Sequence, residues 1–236
     1  CFRERERILD LFEMLCGARV TLSYMRPGGI FQDAPEEFWS ALNTLISDFP
    51  HYLDELESLI TSNEIVLSRT LGVGKLTDAQ AIDCGVSGPN LRASSVKWDL
   101  RKAAPYEIYD RVKFDVPIGV NGDVFDRYYV RALEMRESIK IISQCIDQIE
   151  DGPIRTDAPY FIRPPKGEIY SAIEAPKGEL GFYLVSDGSI APYRCKVRAP
   201  SYLNLTPLSD MLKGWKMGDL IIILGSIDFV LGEVDR

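Results

Sequence analysis

Residues 121–152 read NGDVFDRYYVRALEMRESIKIISQCIDQIEDG, and this stretch decides the fold class. Phe125, Tyr128, Ala132, Met135, Ile139, Ile142, Ile146 and Ile149 recur at alternating steps of three and four, the a/d seam of a helix with one buried side. Asn121 or Asp123 can cap its start, and Gly152-Pro153 stops it. The chain around it reads as globular, so a helix of a packed bundle fits the pattern better than a free coiled coil.

Upstream, the spacing of Ile8, Leu11, Phe12 and Leu15 predicts a helix over Phe2–Tyr24, ended by Pro27-Gly28-Gly29. Its run Arg3-Glu4-Arg5-Glu6-Arg7 alternates in sign and reads as a solvated face with i,i+3 pairs Arg3–Glu6 and Glu4–Arg7. A second helix is predicted from Pro35 to Ile60 on the stripe Phe38, Leu42, Leu45, Phe49, Leu53, Leu56, Ile60, with Pro50 expected to kink or split it. Short helices follow at Asn63–Thr70 and Asp78–Cys84, joined by a turn-rich Leu71–Thr77. Gly85–Gly122 is irregular, and an irregular segment of that length is usually functional or an interface.

Downstream, Thr156–Lys166 is a Pro-rich connection. Ile169–Ile173, Leu180–Ser186 and Tyr193–Ala199 read as strands, with turns at Pro176–Gly178 and Asp187–Ser189. Two short helices are predicted at Thr206–Lys213 and Lys216–Leu224, and Gly225–Arg236 is compact and mixed. The expected architecture is therefore α+β and mainly helical, with a small antiparallel sheet near the carboxyl end. It divides into a helical region over 1–150, a connector over 151–167 and a strand-rich region with terminal helices over 168–236.

Composition restricts function. The chain has 236 residues, 27 Lys+Arg against 35 Asp+Glu, a formal net charge of −8, 46% hydrophobic and 26% charged residues. That is ordinary for a folded domain, and its acidity argues against a general nucleic-acid binder, which needs a basic face. No apolar run approaches the roughly 18 residues of a membrane span; the longest, Leu220–Leu224, is far shorter. The cysteines Cys1, Cys16, Cys84, Cys145 and Cys195 are odd in number, scattered and free of any C-x-x-C, which argues against a zinc or iron–sulfur site and suits a reducing compartment. A lone His51 leaves little room for a His-based triad and reads as a surface residue.

Other motifs fail on inspection. Gly72-Val73-Gly74-Lys75-Leu76-Thr77 lacks both the earlier Gly and the Ser/Thr after Lys of a phosphate loop, and Thr77 replaces the third glycine of a dinucleotide loop. A turn between helices is the reading. Glu36-Glu37 and Glu55/Glu57 lie on polar helix sides and read as solvated rather than as an acid/base pair.

Several stretches belong together: Phe2-Arg3-Glu4-Arg5-Glu6, Gly17-Ala18-Arg19, Arg26-Pro27-Gly28-Gly29, Gly85-Val86-Ser87-Gly88-Pro89-Asn90-Leu91-Arg92-Ala93 and Trp98-Asp99-Leu100-Arg101-Lys102. Further on come Glu174-Ala175-Pro176-Lys177-Gly178-Glu179, Ser186-Asp187-Gly188-Ser189, Pro192-Tyr193-Arg194-Cys195-Lys196 and Gly232-Glu233-Val234-Asp235-Arg236. In order and over nearly the whole chain, they resemble the 49-kDa type of quinone-site core subunit of respiratory complex I, NADH:quinone oxidoreductase. Arg26-Pro27-Gly28-Gly29 and Gly232-Glu233-Val234 favour the respiratory type over its photosynthetic homologue.

The resemblance implies a fold like that of the related large subunit of nickel–iron hydrogenases. The hydrogenase motif Asp-Pro-Cys-x-x-Cys corresponds to Asp228–Glu233, where Val230 and Glu233 replace both thiolates. A nickel site therefore loses its soft ligands, and an active hydrogenase is nearly excluded.

It further implies a wall of the quinone-reduction site, beside a partner small subunit that holds the terminal [4Fe-4S] cluster, in a complex that couples NADH oxidation to proton translocation. Asp228 and Val230 match positions lining the quinone cavity, Lys177 a position near it, and Phe2 and Val20 apolar positions on its inner wall. Asp228 is a candidate proton relay, against the plainer readings of an ion pair with Arg236 or a turn cap. Arg19 and Thr21 fall near the partner's cluster. Thr21 stands where many relatives have histidine and cannot titrate, which implies a cluster potential nearly independent of pH around neutrality.

No cofactor is expected on this chain alone, quinone being bound at a shared site. The family's amino-terminal portion, with the histidine and tyrosine that hydrogen-bond the quinone, is not in this sequence. Together with a start at Cys1 inside a helical pattern, this gives the expectation of a further segment or a separate chain upstream. The connector 151–167 is shorter than in most relatives and lacks a helix there. Expected partners are that amino-terminal portion, the cluster-bearing small subunit, other peripheral-arm core subunits and a membrane-arm subunit at the quinone entrance. The expected location is peripheral, on the matrix side of the mitochondrial inner membrane, or alternatively the cytoplasmic face of a bacterial membrane. The rival from another class is a non-catalytic scaffold fragment of the same complex.

Overall fold

A computed structural model describes residues 2–159 and 161–235. In chain order the elements are α1 (Phe2–Cys16), β1 (Met25–Arg26), β2 (Gly29–Ile30), α2 (Glu36–Ile60), α3 (Glu64–Thr70), α4 (Asp78–Asp83), α5 (Pro89–Ala93), α6 (Leu100–Ala103) and α7 (Val124–Gln148). Then follow β3 (Gly167–Ala175), β4 (Gly178–Ser186), β5 (Arg194–Arg198), α8 (Pro200–Asn204), α9 (Leu208–Met211), α10 (Met217–Ile227) and α11 (Leu231–Asp235). The chain divides into two compact units, Cys1–Asp54 with Ser143–Ile162, and Glu55–Ile142 with Arg163–Arg236. The mainly helical α+β expectation holds.

In the first unit, α1 is shorter than the sequence pattern predicts. Gly17 takes φ +71° and its N–H returns to the Glu13 carbonyl at 2.8 Å, a left-handed stop that ends the helix well before Tyr24. The alternating charges are not simply solvated. Glu4 is buried and accepts from Arg3 Nε at 2.6 Å and Arg7 Nη1 at 2.9 Å, while Arg7 Nη2 reaches Asp48 of α2 at 2.8 Å. Pro50 does not split α2, which buries Phe49 and Leu53 on either side of it. Past α1, Pro27-Gly28 forms the turn of the small β1–β2 hairpin. Its far edge is held by bonds between Gly28, Ile30 and the connector residues Ile154 and Thr156.

The second unit has its core in Val73, Leu76, Ala81, Val86, Leu91, Val124, Met211, Ile223 and Ile227, drawn from α4, α5 and the turn between them, α7, α9, α10 and the 71–77 turn. The seam expected on α7 is displaced. Its first turns bury Val124, Asp126, Arg127, Val130 and Ala132, while Phe125, Tyr128 and Met135 stay half-buried. The physical reason is polar: Asp123, Asp126 and Arg127 are turned inward to satisfy loop backbone, and a count of apolar residues cannot register that. Asp123 caps the helix, accepting from the Asp126 N–H at 2.9 Å, while its other oxygen takes the Gly72 N–H at 2.8 Å.

The sheet is antiparallel in the order β3-β4-β5, with Ile169 opposite Leu184, Ile173 opposite Leu180 and Phe182 opposite Val197. These six apolar residues share one face, by the period of two along a strand. β3 and β4 are joined by Pro176-Lys177, so Lys177 sits at a hairpin tip. That tip lies hard against the α4–α5 turn: a Cβ on Gly88 would stand 2.5 Å from Gly178 Cα. The strand and turn expectations hold. Four helices are not foreseen by the sequence pattern: α5 and α6, inside the 85–122 segment read as irregular, α8, which begins at Pro200 directly after β5, and α11.

Candidate functional site: a carboxylate between two cations

α10 is apolar and ends at Asp228, which adopts the left-handed conformation, φ 58° and ψ 49°. For an L-residue other than glycine that conformation costs about 1 kcal/mol, less for Asp and Asn, whose short polar side chains bond locally. The Asp228 carboxylate is half-exposed. Its Oδ2 receives Lys177 Nζ at 2.5 Å and faces Arg131 Nε at 3.6 Å. Lys177 is held by its backbone, because Asn204 Nδ2 donates to its carbonyl at 2.9 Å while Asn204 Oδ1 accepts from the Ser87 N–H at 3.0 Å. Asp228 thus ends α10 as a turn cap and also forms an ion pair. The alternative partner Arg236 lies outside the described residues.

Two arginines one turn apart on α7 sit behind Asp228. Arg127 is fully buried and donates to the Gly122 carbonyl, the Gly74 carbonyl and Ser226 Oγ, each at 2.8 Å. Burial pushes its guanidinium down to about 10, and the neighbouring Arg131 charge adds to that. Arg131 donates through Nη1 to the Arg127 and Ser226 carbonyls at 2.6 and 2.9 Å. Through Nη2 it donates to Asn90 Oδ1 and the Ile227 carbonyl at 3.1 and 3.0 Å. Burial lowers it too, with Asp228 and Glu134 opposing.

Asp228 lies where two concavities meet. One is a charged cleft of about 300 Å³ lined by Arg92, Arg101, Arg131, Glu134, Glu174 and Asp228 among others. At its base the buried Arg92 bonds Glu134 through Nε at 2.5 Å and Glu174 through Nη1 at 2.7 Å. Burial works against the Arg92 charge, but the two carboxylates outweigh it and hold the guanidinium above its ordinary value. The other concavity is a groove of about 700 Å³ between α3, α7 and α10, walled mainly by apolar side chains including Ile60, Val66, Val124, Ile221 and Ile222.

Val230 is half-exposed, and its N–H donates to Ser201 Oγ at 3.2 Å. Glu233 Oε2 accepts from the Ser201 N–H at 3.0 Å, at the start of α8. Val230 and Glu233 therefore both bond Ser201. Among the described residues no group of three or more His, Cys, Asp or Glu could hold a metal ion.

Of the residues singled out from the sequence, Asp228 and Lys177 come together, with Val230 two residues on. Phe2, Val20, Arg19 and Thr21 belong to the first unit. There Phe2 and Val20 are exposed, and Arg19 is engaged by Glu6, Asp10 and Glu13 of α1 at 2.5, 2.6 and 3.1 Å. Thr21 is left-handed, φ 58°, with its Oγ1 donating to the Val20 carbonyl. Sequence reasoning misses Arg131, Arg127, Asn90 and Ser201; the one signal for the two arginines is their spacing of four, near the start of α7, which carries several other charged residues.

The profile of the family described as respiratory-chain NADH dehydrogenase, 49 Kd subunit, matches residues 1–165 and 160–236. The chain belongs to this family. An NADH-quinone oxidoreductase subunit of Dehalococcoides mccartyi is 54% identical over 235 residues, 100% of this chain and 64% of that protein. Its counterpart in Desulforamulus reducens is 53% identical over 234 residues, covering 99% of this chain and 64% of that protein. The counterpart in Geotalea uraniireducens is 46% identical over a longer span of 260 residues, covering 100% of this chain and 67% of that protein. The chain thus spans about 64% of the length of the first two relatives. The two family-matched stretches meet at residues 160–165, inside the Pro-rich connector. Among the described residues no helix is long and apolar enough to cross a membrane.

Proposed function

We propose that this chain forms one wall of the quinone-reducing site of a proton-translocating NADH:quinone oxidoreductase. The observation that carries the reading is the Lys177–Asp228 pair, 2.5 Å apart, whose Asp228 also lines an apolar groove. A quinone needs an apolar slot for its ring and tail and a few polar groups for its carbonyls. Reduction to the quinol takes two electrons and two protons, and it turns two acceptor oxygens into two O–H donors. Lys177 can donate to the first form and Asp228 can accept from the second, so the pair serves both ends of the reaction.

In this reading Phe2, Val20 and Val230 supply apolar wall, and the fold is of the hydrogenase large-subunit kind. Electrons arrive from a [4Fe-4S] cluster on a partner small subunit near Arg19 and Thr21, while this chain itself holds no redox centre. The further partners are an amino-terminal portion of the same subunit, other peripheral-arm core subunits and a membrane-arm subunit at the quinone entrance. The three relatives named above are bacterial, so the cytoplasmic face of a bacterial membrane replaces the mitochondrial matrix as the favoured location.

The test is Asp228→Asn in the assembled complex. NADH:quinone activity should fall on the order of tenfold, while electron transfer to a hydrophilic artificial acceptor and the yield of complex stay unchanged. Unchanged quinone activity would return the chain to the scaffold reading.

A further inference from the structure

We propose that Arg131 is the positioning residue of Asp228, the group that fixes where its carboxylate points; this rests on the quinone-site reading above. A guanidinium has five N–H donors in a rigid plane. Four are spent on fixed acceptors: the Ser226 and Ile227 carbonyls of the last turn of α10, the Arg127 carbonyl of α7, and Asn90 Oδ1 of α5. The remaining Nε–H faces Asp228 Oδ2 at 3.6 Å.

The arrangement ties three elements at the residue where α10 turns left-handed. The carbonyls of Ser226 and Ile227 immediately precede Asp228. Holding both of them sets the peptide plane from which Asp228 leaves the helix. Asn90 braces the same carbonyl, donating from Nδ2 to Ile227 at 3.0 Å. Lys177 then meets a carboxylate whose direction is already set. Arg131 also lines both the charged cleft and the apolar groove, and so marks the boundary between them. Lysine at this position would keep the charge but could not span acceptors on three elements from a single nitrogen.

Arg131→Lys, Asp228→Asn and the double variant are compared in the assembled complex, with a short-tailed ubiquinone as the probe. The expected result is a quinone KM raised on the order of tenfold by Arg131→Lys, with kcat changed far less and transfer to a hydrophilic acceptor unaltered. In the Asp228→Asn background the same change should add no further rise, since it acts through the missing carboxylate. An unchanged KM in Arg131→Lys, with a raised KM in Asp228→Asn, overturns this inference and leaves the quinone-site reading standing. Unchanged kcat and KM for the quinone in Asp228→Asn remove the quinone-site reading and the inference with it, and a fall in kcat alone at unchanged KM in Asp228→Asn overturns the inference while leaving that reading standing. Failure of Arg131→Lys to accumulate, where Asp228→Asn accumulates, assigns Arg131 to folding and overturns the proposal.

Discussion

Asp99 and Glu174 lie within one ion network and titrate in opposite senses. Burial pushes Asp99 up, but the paired bonds from Arg101, at 2.9 and 2.6 Å, and the charge of Arg92 outweigh it and hold the carboxyl below its ordinary value. Glu174 is raised, burial prevailing over Arg92. For Asp99 the folded value is the lower one. Its stabilisation is therefore complete above the unfolded value of about 3.9 and is lost as pH falls through the folded value. Glu174 has the opposite sign: its contribution is present below about 4.3 and fades as pH rises through its folded value. Asp99→Asn should lower stability at neutral pH and flatten its decline in acid, read as urea midpoints over a pH series; a decline as steep as that of the parent chain would contradict the account. At this scale the sequence is only partly informative. The resemblance picks out Asp228 and Lys177, 51 positions apart. Arg131 escapes it because most of its partners are backbone carbonyls, which leave no mark in a sequence.

α7 shows how far a pattern of apolar residues reaches. Its extent is legible from the three-and-four spacing and from the cap and stop residues, and it forms over Val124–Gln148. Its inward face is not. Asp126 gathers the N–H groups of Val120, Asn121 and Gly122 with one oxygen, and Asp123 holds both the helix start and Gly72. The failed phosphate loop at 72–77 is thus a turn pinned by the start of α7: Val124 N–H bonds the Val73 carbonyl and Leu76 N–H the Gly122 carbonyl. Asp123→Ala removes a cap and orphans a loop donor, so it should destabilise by about 2–3 kcal/mol, seen as a lower urea midpoint at unchanged slope. A loss below about 0.5 kcal/mol would show that the turn stands without it. The β3–β4 hairpin is more legible, since alternation and a Pro-Lys-Gly turn fix its register. α8 is hidden because its start depends on a remote carboxylate, Glu233.

Across the whole chain, family membership and the mainly helical α+β class are both readable from ordered short motifs and period. The assignment of a quinone wall draws on residues of the second unit that are far apart in sequence: Lys177 on a hairpin tip, Asp228 at a helix end and the apolar groove beside it. Val230 and Glu233 both bond Ser201, so the segment that follows α10 is tied to the start of α8. The most direct measurement is photoaffinity labelling of the assembled complex with a quinone bearing a photoreactive headgroup, followed by peptide mapping. The account predicts label on the hairpin around Lys177 and on the 217–235 segment, suppressed by excess unlabelled quinone. Competable label confined to other chains of the complex, with none on either segment, would contradict it.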